Sequence, residues 1–458
     1  MGNSLHKNKG FHYKTMKELQ REGERYHLSI PQSDRTDFLF NPICLKNHKI
    51  PNRFVSLPME GCDAKEGSPS DLTFRKYEKI ARGGAGIIWL EAVSVSKDGR
   101  SNPGQLMLTE KNVDDFKQLK QRIVHSAQEE FGDDHIPFTI IQLNHSGRYC
   151  KTFNDHGFLE SRPIFAHHNE VLDPGSGVQQ EDIPVSDDYL KDLVDKFLQG
   201  ARLAKEAGFD GVDIKACHGY LLSELFSGFN REGAYGGDFD HRVRLYLEII
   251  DAIQKDPQCE GLEITTRINM ADWIPYPNGW GMAKDGFLAL DLEEPFQLVE
   301  KLKQRDIRLI SLTMGNPYHF AHVNKPYDKG AYVPEEEPIV SASRLLETAA
   351  LFQREFPDIY FVGVGYSWFR HLIPQVAAGA LENKMIQLIG LGREMIAYPY
   401  MVRDLKADGE VQKNKVCIAC SKCSEMKSKI GLCGCVVRDY EVYGPIYLKM
   451  KEKEKAIG

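Results

Sequence analysis

The chain lacks any address to a membrane. No apolar run approaches the roughly 20 residues of a spanning helix, and the first 37 residues are polar and mixed in charge, without a secretory signal's apolar core. Met1-Gly2 is followed by His6 where a myristoylation signal carries Ser or Thr, so no lipid anchor is expected. Surplus positive charge is missing too. With 58 Lys and Arg against 65 Asp and Glu the net charge is −7, which gives nucleic acid or an anionic membrane no footing as a partner. No Gly-x-Gly-x-x-Gly turn follows any predicted strand, so a Rossmann dinucleotide site has no anchor. Internal repeats and low-complexity segments are absent. A soluble cytoplasmic protein is the expectation these absences leave.

What remains is a chain of 458 residues, 42% hydrophobic and 27% charged, able to bury a large core. From Phe38 onward short apolar runs alternate with helical periods, the pattern of a parallel α/β sheet. Strands are predicted at 53–56, 86–92, 137–143, 211–215, 262–268, 309–313, 359–364 and 385–391. Helices are predicted to start at Ser186 with acids in the first turn, at Asp291 with Glu294 as a capping box, at Ser341, and at Asp238 or Asp240. Eight strands with interleaved helices and no Rossmann turn predict a (β/α)8 TIM barrel over 38–410. An N-terminal extension, 1–37, with one helix at about 14–22 draped on the outside, and a cysteine-rich segment, 411–458, flank it.

The stretch at 208–222, Gly-Phe-Asp-Gly-Val-Asp-Ile-Lys-Ala-Cys-His-Gly-Tyr-Leu-Leu, sets a strand directly before Lys215, His218 and Tyr220. Barrel enzymes carry catalytic side chains at these C-terminal strand ends. Gly363-Val364-Gly365 and Gly390-Leu391-Gly392-Arg393 close the last two strands. Loops there commonly bind phosphate, because bare backbone N–H groups face the anion and an arginine can add a bidentate contact. The long loops at 144–184 and 314–338 read as lids or binding loops, the second rich in aromatic residues and histidine. His319 or His322 could stand in for Tyr220 as an acid if that loop folds over the site.

Ten cysteines divide into a scattered five and a crowd: Cys417, Cys420, Cys423, Cys433 and Cys435. Crowding in a reducing compartment points to metal rather than disulfides. Three thiolates at turn spacing and a fourth about a dozen residues on suit a 4Fe-4S cluster, with structural zinc and unliganded thiols as the alternatives.

The ordered motifs Leu39-Phe40-Asn41-Pro42, Asn52-Arg53-Phe54 leading to Pro58-Met59, Glu91-Ala92, Gln142 to Arg148, the 208–222 stretch, Tyr235-Gly236-Gly237 with Arg242, and Gly390 to Arg393 together resemble the old yellow enzyme family. The resemblance implies FMN. Pro58, Met59, Ala92 and Gln142 would line its ring, Arg267 would meet the pyrimidine edge, and Gly365, Gly392 and Arg393 would hold the phosphate. It also implies that His218 binds the substrate oxygen and Tyr220 donates a proton. Two residues depart from the family: Lys215 stands where a second His or Asn is usual, and Glu60 where a small or thiol side chain is. The cysteine run resembles the family's cluster-bearing branch, that of 2,4-dienoyl-CoA reductase and trimethylamine dehydrogenase, and the spacing there implies Cys417, Cys420, Cys423 and Cys435 as ligands.

The expected function is an FMN-dependent ene-reductase that takes electrons from NADH or NADPH, directly or through an external carrier, and transfers hydride to an activated C=C bond of a small-molecule carbonyl or thioester. An amine dehydrogenase and an FMN/Fe-S electron-transfer subunit of a larger complex are the alternatives. The resemblance also allows a homo-oligomer.

Overall fold

The computed structural model describes residues 10–457. Met1-Gly2, His6 and the first nine residues of the expected extension lie outside the described residues. Eight parallel strands close a barrel in chain order: β1 (Phe54–Ser56), β2 (Ile87–Ser94), β3 (Phe138–Asn144), β4 (Gly211–Ile214), β5 (Glu263–Asn269), β6 (Leu309–Thr313), β7 (Tyr360–Gly363) and β8 (Leu388–Leu391). The ring shuts where β8 meets β1, with Ile389 opposite Phe54 and Leu391 opposite Ser56. Every residue of β2, β3 and β6 is buried, because one face fills the barrel and the other packs against helices. That two-sided burial is why the strands read as unbroken apolar runs. Close approach of β7 and β8 requires Gly390, where a Cβ would lie 2.6 Å from the Gly363 carbonyl oxygen.

Helix starts follow capping chemistry with two differences from expectation. Ser186 and Asp238 cap their helices by accepting from the backbone N–H groups of Tyr189 and His241. The helix expected at Ser341 begins instead at Pro338, whose fixed φ suits the first helical position. Asp291 accepts from Glu293 N–H at 3.1 Å, but Leu292 occupies the cap of Glu293–Gln304, so no capping box forms. The N-terminal helix Met16–Arg25 packs Met16 and Leu19 into the main core. Among the described residues no helix is long and apolar enough to cross a membrane.

After β8 the chain passes through Met401–Asp408 into the cysteine-rich segment, which carries the helices Lys422–Ile430 and Tyr440–Ile457. A small core of Met426, Val436, Tyr443 and Met450 holds this segment together. It is tied to the barrel by Arg75 on Asp439, two contacts of 2.6 Å, and by the Cys433 N–H on the Gly61 carbonyl at 2.8 Å.

Candidate active site

At the C-terminal mouth of the barrel one cavity is lined by Pro58, Met59, Arg267, Gly365, Gly392 and Arg393 together with Lys215, His218 and Tyr220. These nine predicted residues are thereby brought together. Ala92 and Gln142, read as ring contacts, do not line it; they are sealed beneath the mouth, 0% and 1% exposed. His319 and His322 stay outside as well. His322 is occupied by Tyr332 at 2.7 Å, and the loop sends Tyr318 and Asn324 into the cavity in their place.

The barrel interior positions this set through Asp213 on β4. Its Oδ2 accepts from Trp89 Nε1 at 2.8 Å and Gln142 Nε2 at 2.5 Å, and its Oδ1 from the Arg267 N–H at 2.9 Å, linking β2, β3, β4 and β5. Burial pushes the Asp213 carboxyl up to about 6 although all three donors pull it down. A bulge in β2 turns Glu91 outward, where Lys76 pairs with it and it accepts from Gly61 N–H at 2.6 Å, fixing the loop that carries Met59 and Glu60.

His218 sits at φ 67°, a left-handed conformation unusual for a non-glycine residue and typical of functional loops. Its N–H donates to Asn269 Oδ1 at 3.2 Å, and Asn324 Nδ2 lies 3.0 Å from its Nε2. Burial, reinforced by Arg267 and Lys215, holds the ring well below the usual histidine range, so it is neutral near pH 7.

Glu60 and Lys215 are partners. Glu60 Oε1 accepts from Lys215 Nζ at 3.3 Å and Tyr220 OH at 3.1 Å, and its Oε2 meets Lys427 Nζ at 2.7 Å and Ser101 Oγ at 3.3 Å. Burial opposes the Glu60 charge, but Lys427 and Lys215 outweigh it and keep the carboxyl far below its usual range. Lys215 Nζ also lies 3.7 Å from the centre of the Tyr220 ring, and the Tyr220 hydroxyl is 2.9 Å from that of Tyr318. Burial, then Glu60, drives the Tyr220 phenol well above the usual tyrosine range, so it carries its proton at neutral pH. Tyr318 in turn stacks on Tyr149 at 3.9 Å. Lys427 comes from the cysteine-rich segment and Lys151 from the loop after β3; neither stands in a motif that sequence reading could single out.

Beneath Tyr220, the Leu221 N–H donates to the His145 carbonyl at 3.2 Å. His145 Nδ1 accepts from Gly147 N–H at 3.2 Å, which leaves Nε2 to donate to Tyr189 OH at 2.9 Å, and Tyr189 donates to Asp98 at 2.8 Å. A second ring proton would face the Gly147 N–H. Burial pushes His145 down to about 4, Asp98 opposing. Unfolded histidine has a pKa of about 6.5, so this neutral ring contributes stability above that value that is lost as pH falls toward about 4. His145→Asn is expected to lose less stability than the parent chain between about pH 7 and 4.5, read as the shift in urea midpoint; parallel losses would contradict the assignment.

FMN fits this cavity. Among the described residues Arg267 Nε and Arg393 Nη1 are buried without a hydrogen-bond partner, and Gly365, at φ 98°, and Gly392 offer bare backbone beside Arg393. Lys325 joins that end, pushed down to about 8 by burial, with Cys423 opposing and Arg393 reinforcing. Cys417, Cys420, Cys423 and Cys435 share one neighbourhood, with Cys433 beside Cys423. Cys423 lies against Cys433, which with Arg393 and Lys325 holds its thiol at about 6 against burial. Cys417 and Cys435 accept from the N–H groups of Ala419 and Arg438 at 3.4 and 3.3 Å. Among the described residues no group of three or more His, Cys, Asp and Glu is placed to hold a metal ion. A four-iron cluster at Cys417, Cys420, Cys423 and Cys435 is therefore not supported.

The sequence profile of the NADH:flavin oxidoreductase / NADH oxidase family matches residues 38–412. The chain is similar to the NADPH dehydrogenase of Bacillus subtilis, 30% identical over 370 residues that cover 80% of this chain and 93% of that one. Among solved structures it resembles 2-naphthoyl-CoA reductase in complex with 2-naphthoyl-CoA, with a TM-score of 0.65 and 20% identity; the match covers 88% of this chain but only 57% of that reductase. The old yellow enzyme homologue from Zymomonas mobilis aligns with a TM-score of 0.57 and 20% identity, over 82% and 94% of the two chains.

Proposed function

The chain belongs to the NADH:flavin oxidoreductase / NADH oxidase family, FMN-dependent oxidoreductases that draw electrons from NAD(P)H, and on that premise we propose that it is an ene-reductase acting on an alkene conjugated to a carbonyl or thioester. The observation that carries this reading is the convergence of a neutral histidine, a lysine and a protonated tyrosine on the cavity that Arg267 and Arg393 also line. FMN, when bound, supplies the hydride that it has received from NAD(P)H. Arg393, Lys325, Gly365 and Gly392 would hold its phosphate, Arg267 its pyrimidine edge, and Pro58 and Met59 its ring.

The chain's own groups do the rest. His218 donates from its ring N–H to the substrate oxygen where negative charge develops, and Lys215 adds a cation there. Tyr220 gives its proton to the α-carbon. Tyr318, backed by the stacked Tyr149, walls the cavity and excludes water. The overall balance is alkene, NAD(P)H and one proton to saturated product and NAD(P)+. An amine dehydrogenase is disfavoured, because the cavity's cations repel an ammonium substrate.

The test is anaerobic oxidation of NADPH by the FMN-loaded protein with 2-cyclohexenone and other activated alkenes, with the saturated product identified. Absence of turnover with every one would overturn the reading. His218→Ala is expected to weaken phenolate ligands of the FMN-loaded protein roughly ten- to hundredfold, the worth of one charge-assisted hydrogen bond, followed by absorbance titration. Undiminished binding would remove His218 from the site.

A further inference from the structure

Resting on the ene-reductase reading, we infer that the alkene reduced here carries a carboxylate conjugated to its double bond, held by Lys151, Lys215 and Lys427. Among the described residues six cationic side chains line the cavity, the other three being Arg267, Lys325 and Arg393, against a single carboxylate, Glu60. Arg393 and Lys325 answer the cofactor's phosphate and Arg267 its ring edge. The remaining three lysines come from separate parts of the chain: the loop after β3, the end of β4 and the helix Lys422–Ile430.

Glu60 is shared by two of them, 3.3 Å from Lys215 Nζ and 2.7 Å from Lys427 Nζ. Lys151 has burial and Lys427 both lowering its pKa, with no carboxylate opposing them. One carboxylate against three ammonium groups leaves a cationic surplus in a desolvated pocket, which is costly until an anion enters. The anion's position is set by contact: Lys215 lies 3.7 Å from the Tyr220 ring centre and Tyr220 is bonded to Glu60, so the bound charge stands beside the proton donor rather than at a distance from the reacting bond.

The chemistry matches that surplus. A neutral enone develops one negative charge when hydride reaches its β-carbon. A 2-enoate begins with one and develops a second, so it needs more positive charge at its oxygens than a neutral histidine provides. In the balanced step the C=C π bond breaks, hydride from NAD(P)H by way of the flavin forms the β C–H bond, and Tyr220's proton, replaced from solvent, forms the α C–H bond. Products are the saturated carboxylate and NAD(P)+. A thioester whose anionic groups lie only on its carrier would not place charge beside Tyr220.

The experiment is calorimetric titration of the oxidised, FMN-loaded protein with (E)-cinnamate and with methyl cinnamate. Cinnamate is expected to bind at least about tenfold more tightly than the ester. Lys427→Gln and Lys151→Gln should each shrink that ratio about fivefold or more, and Lys427→Arg should restore it. Ester binding equal to or tighter than the acid, or a ratio that survives both glutamine substitutions, would overturn the inference. Turnover of 2-cyclohexenone is read separately. Enone turnover without acid preference would defeat the carboxylate site alone, whereas acid preference without any alkene turnover would defeat the ene-reductase reading and leave the anion site standing.

Discussion

Tyr220→Phe is expected to slow alkene reduction roughly a hundred- to ten-thousand-fold, the usual worth of a positioned general acid. The loss should fall on the step in which alkene reoxidises the bound flavin, resolved by stopped-flow absorbance from the step in which NADPH reduces it. Three features of the site lead to this magnitude. The phenol is fully buried, it carries its proton, and its hydroxyl is held by Glu60 at 3.1 Å and Tyr318 at 2.9 Å. Phenylalanine keeps the ring and its contact with Lys215 but removes the proton. An undiminished rate of alkene-driven reoxidation would show that protonation comes from elsewhere.

The second large effect is on stability. Asp213→Leu should cost roughly 3 kcal/mol or more, because each stranded buried donor costs about 1–3 kcal/mol and this substitution strands Trp89 Nε1, Gln142 Nε2 and the Arg267 N–H together. Asp213→Asn, which keeps one acceptor oxygen for the first two, should lose less. Urea unfolding with flavin content measured in parallel checks both, since Arg267 and Gln142 lean on this carboxylate; a leucine variant as stable as the parent would refute the bracing role.

The barrel was legible because nearly all its strands announce themselves as short apolar runs buried on both sides. The start of β8 was not. A strand from Met385 is prevented by Lys384 in a left-handed turn at φ 54° and by the Met385 N–H, which closes the preceding helix onto Ala380. Sequence motifs pointed to Lys215, His218 and Tyr220 and to Gly365, Gly392 and Arg393, all of which line the cavity, because strand ends and glycine pairs are local signals. Glu60 and Lys215 read as two unrelated departures from the family; only the fold shows them as an ion pair, since 155 positions separate them and no sequence period joins them. Lys427 was hidden in a segment read for its cysteines. Spacing alone could not orient those thiols either, because Ala419 and Ser421 take left-handed conformations that redirect the chain between Cys417 and Cys423.

The seam between β1 and β8 has a consequence for biosynthesis. Pro58 and Met59 follow one side of it, and Gly392 and Arg393 the other, so the two halves of the proposed cofactor cradle meet only when residues 54–56 pair with 389–391. Contacts so distant along the chain form late, after the loop-closure entropy of nearly the whole barrel has been overcome. A ribosome must therefore have released almost the entire barrel before flavin has anywhere to sit. Until then the first β-strand waits with one edge unpaired, and on the proposed reading flavin meets its cradle in the last stage of maturation rather than at its beginning.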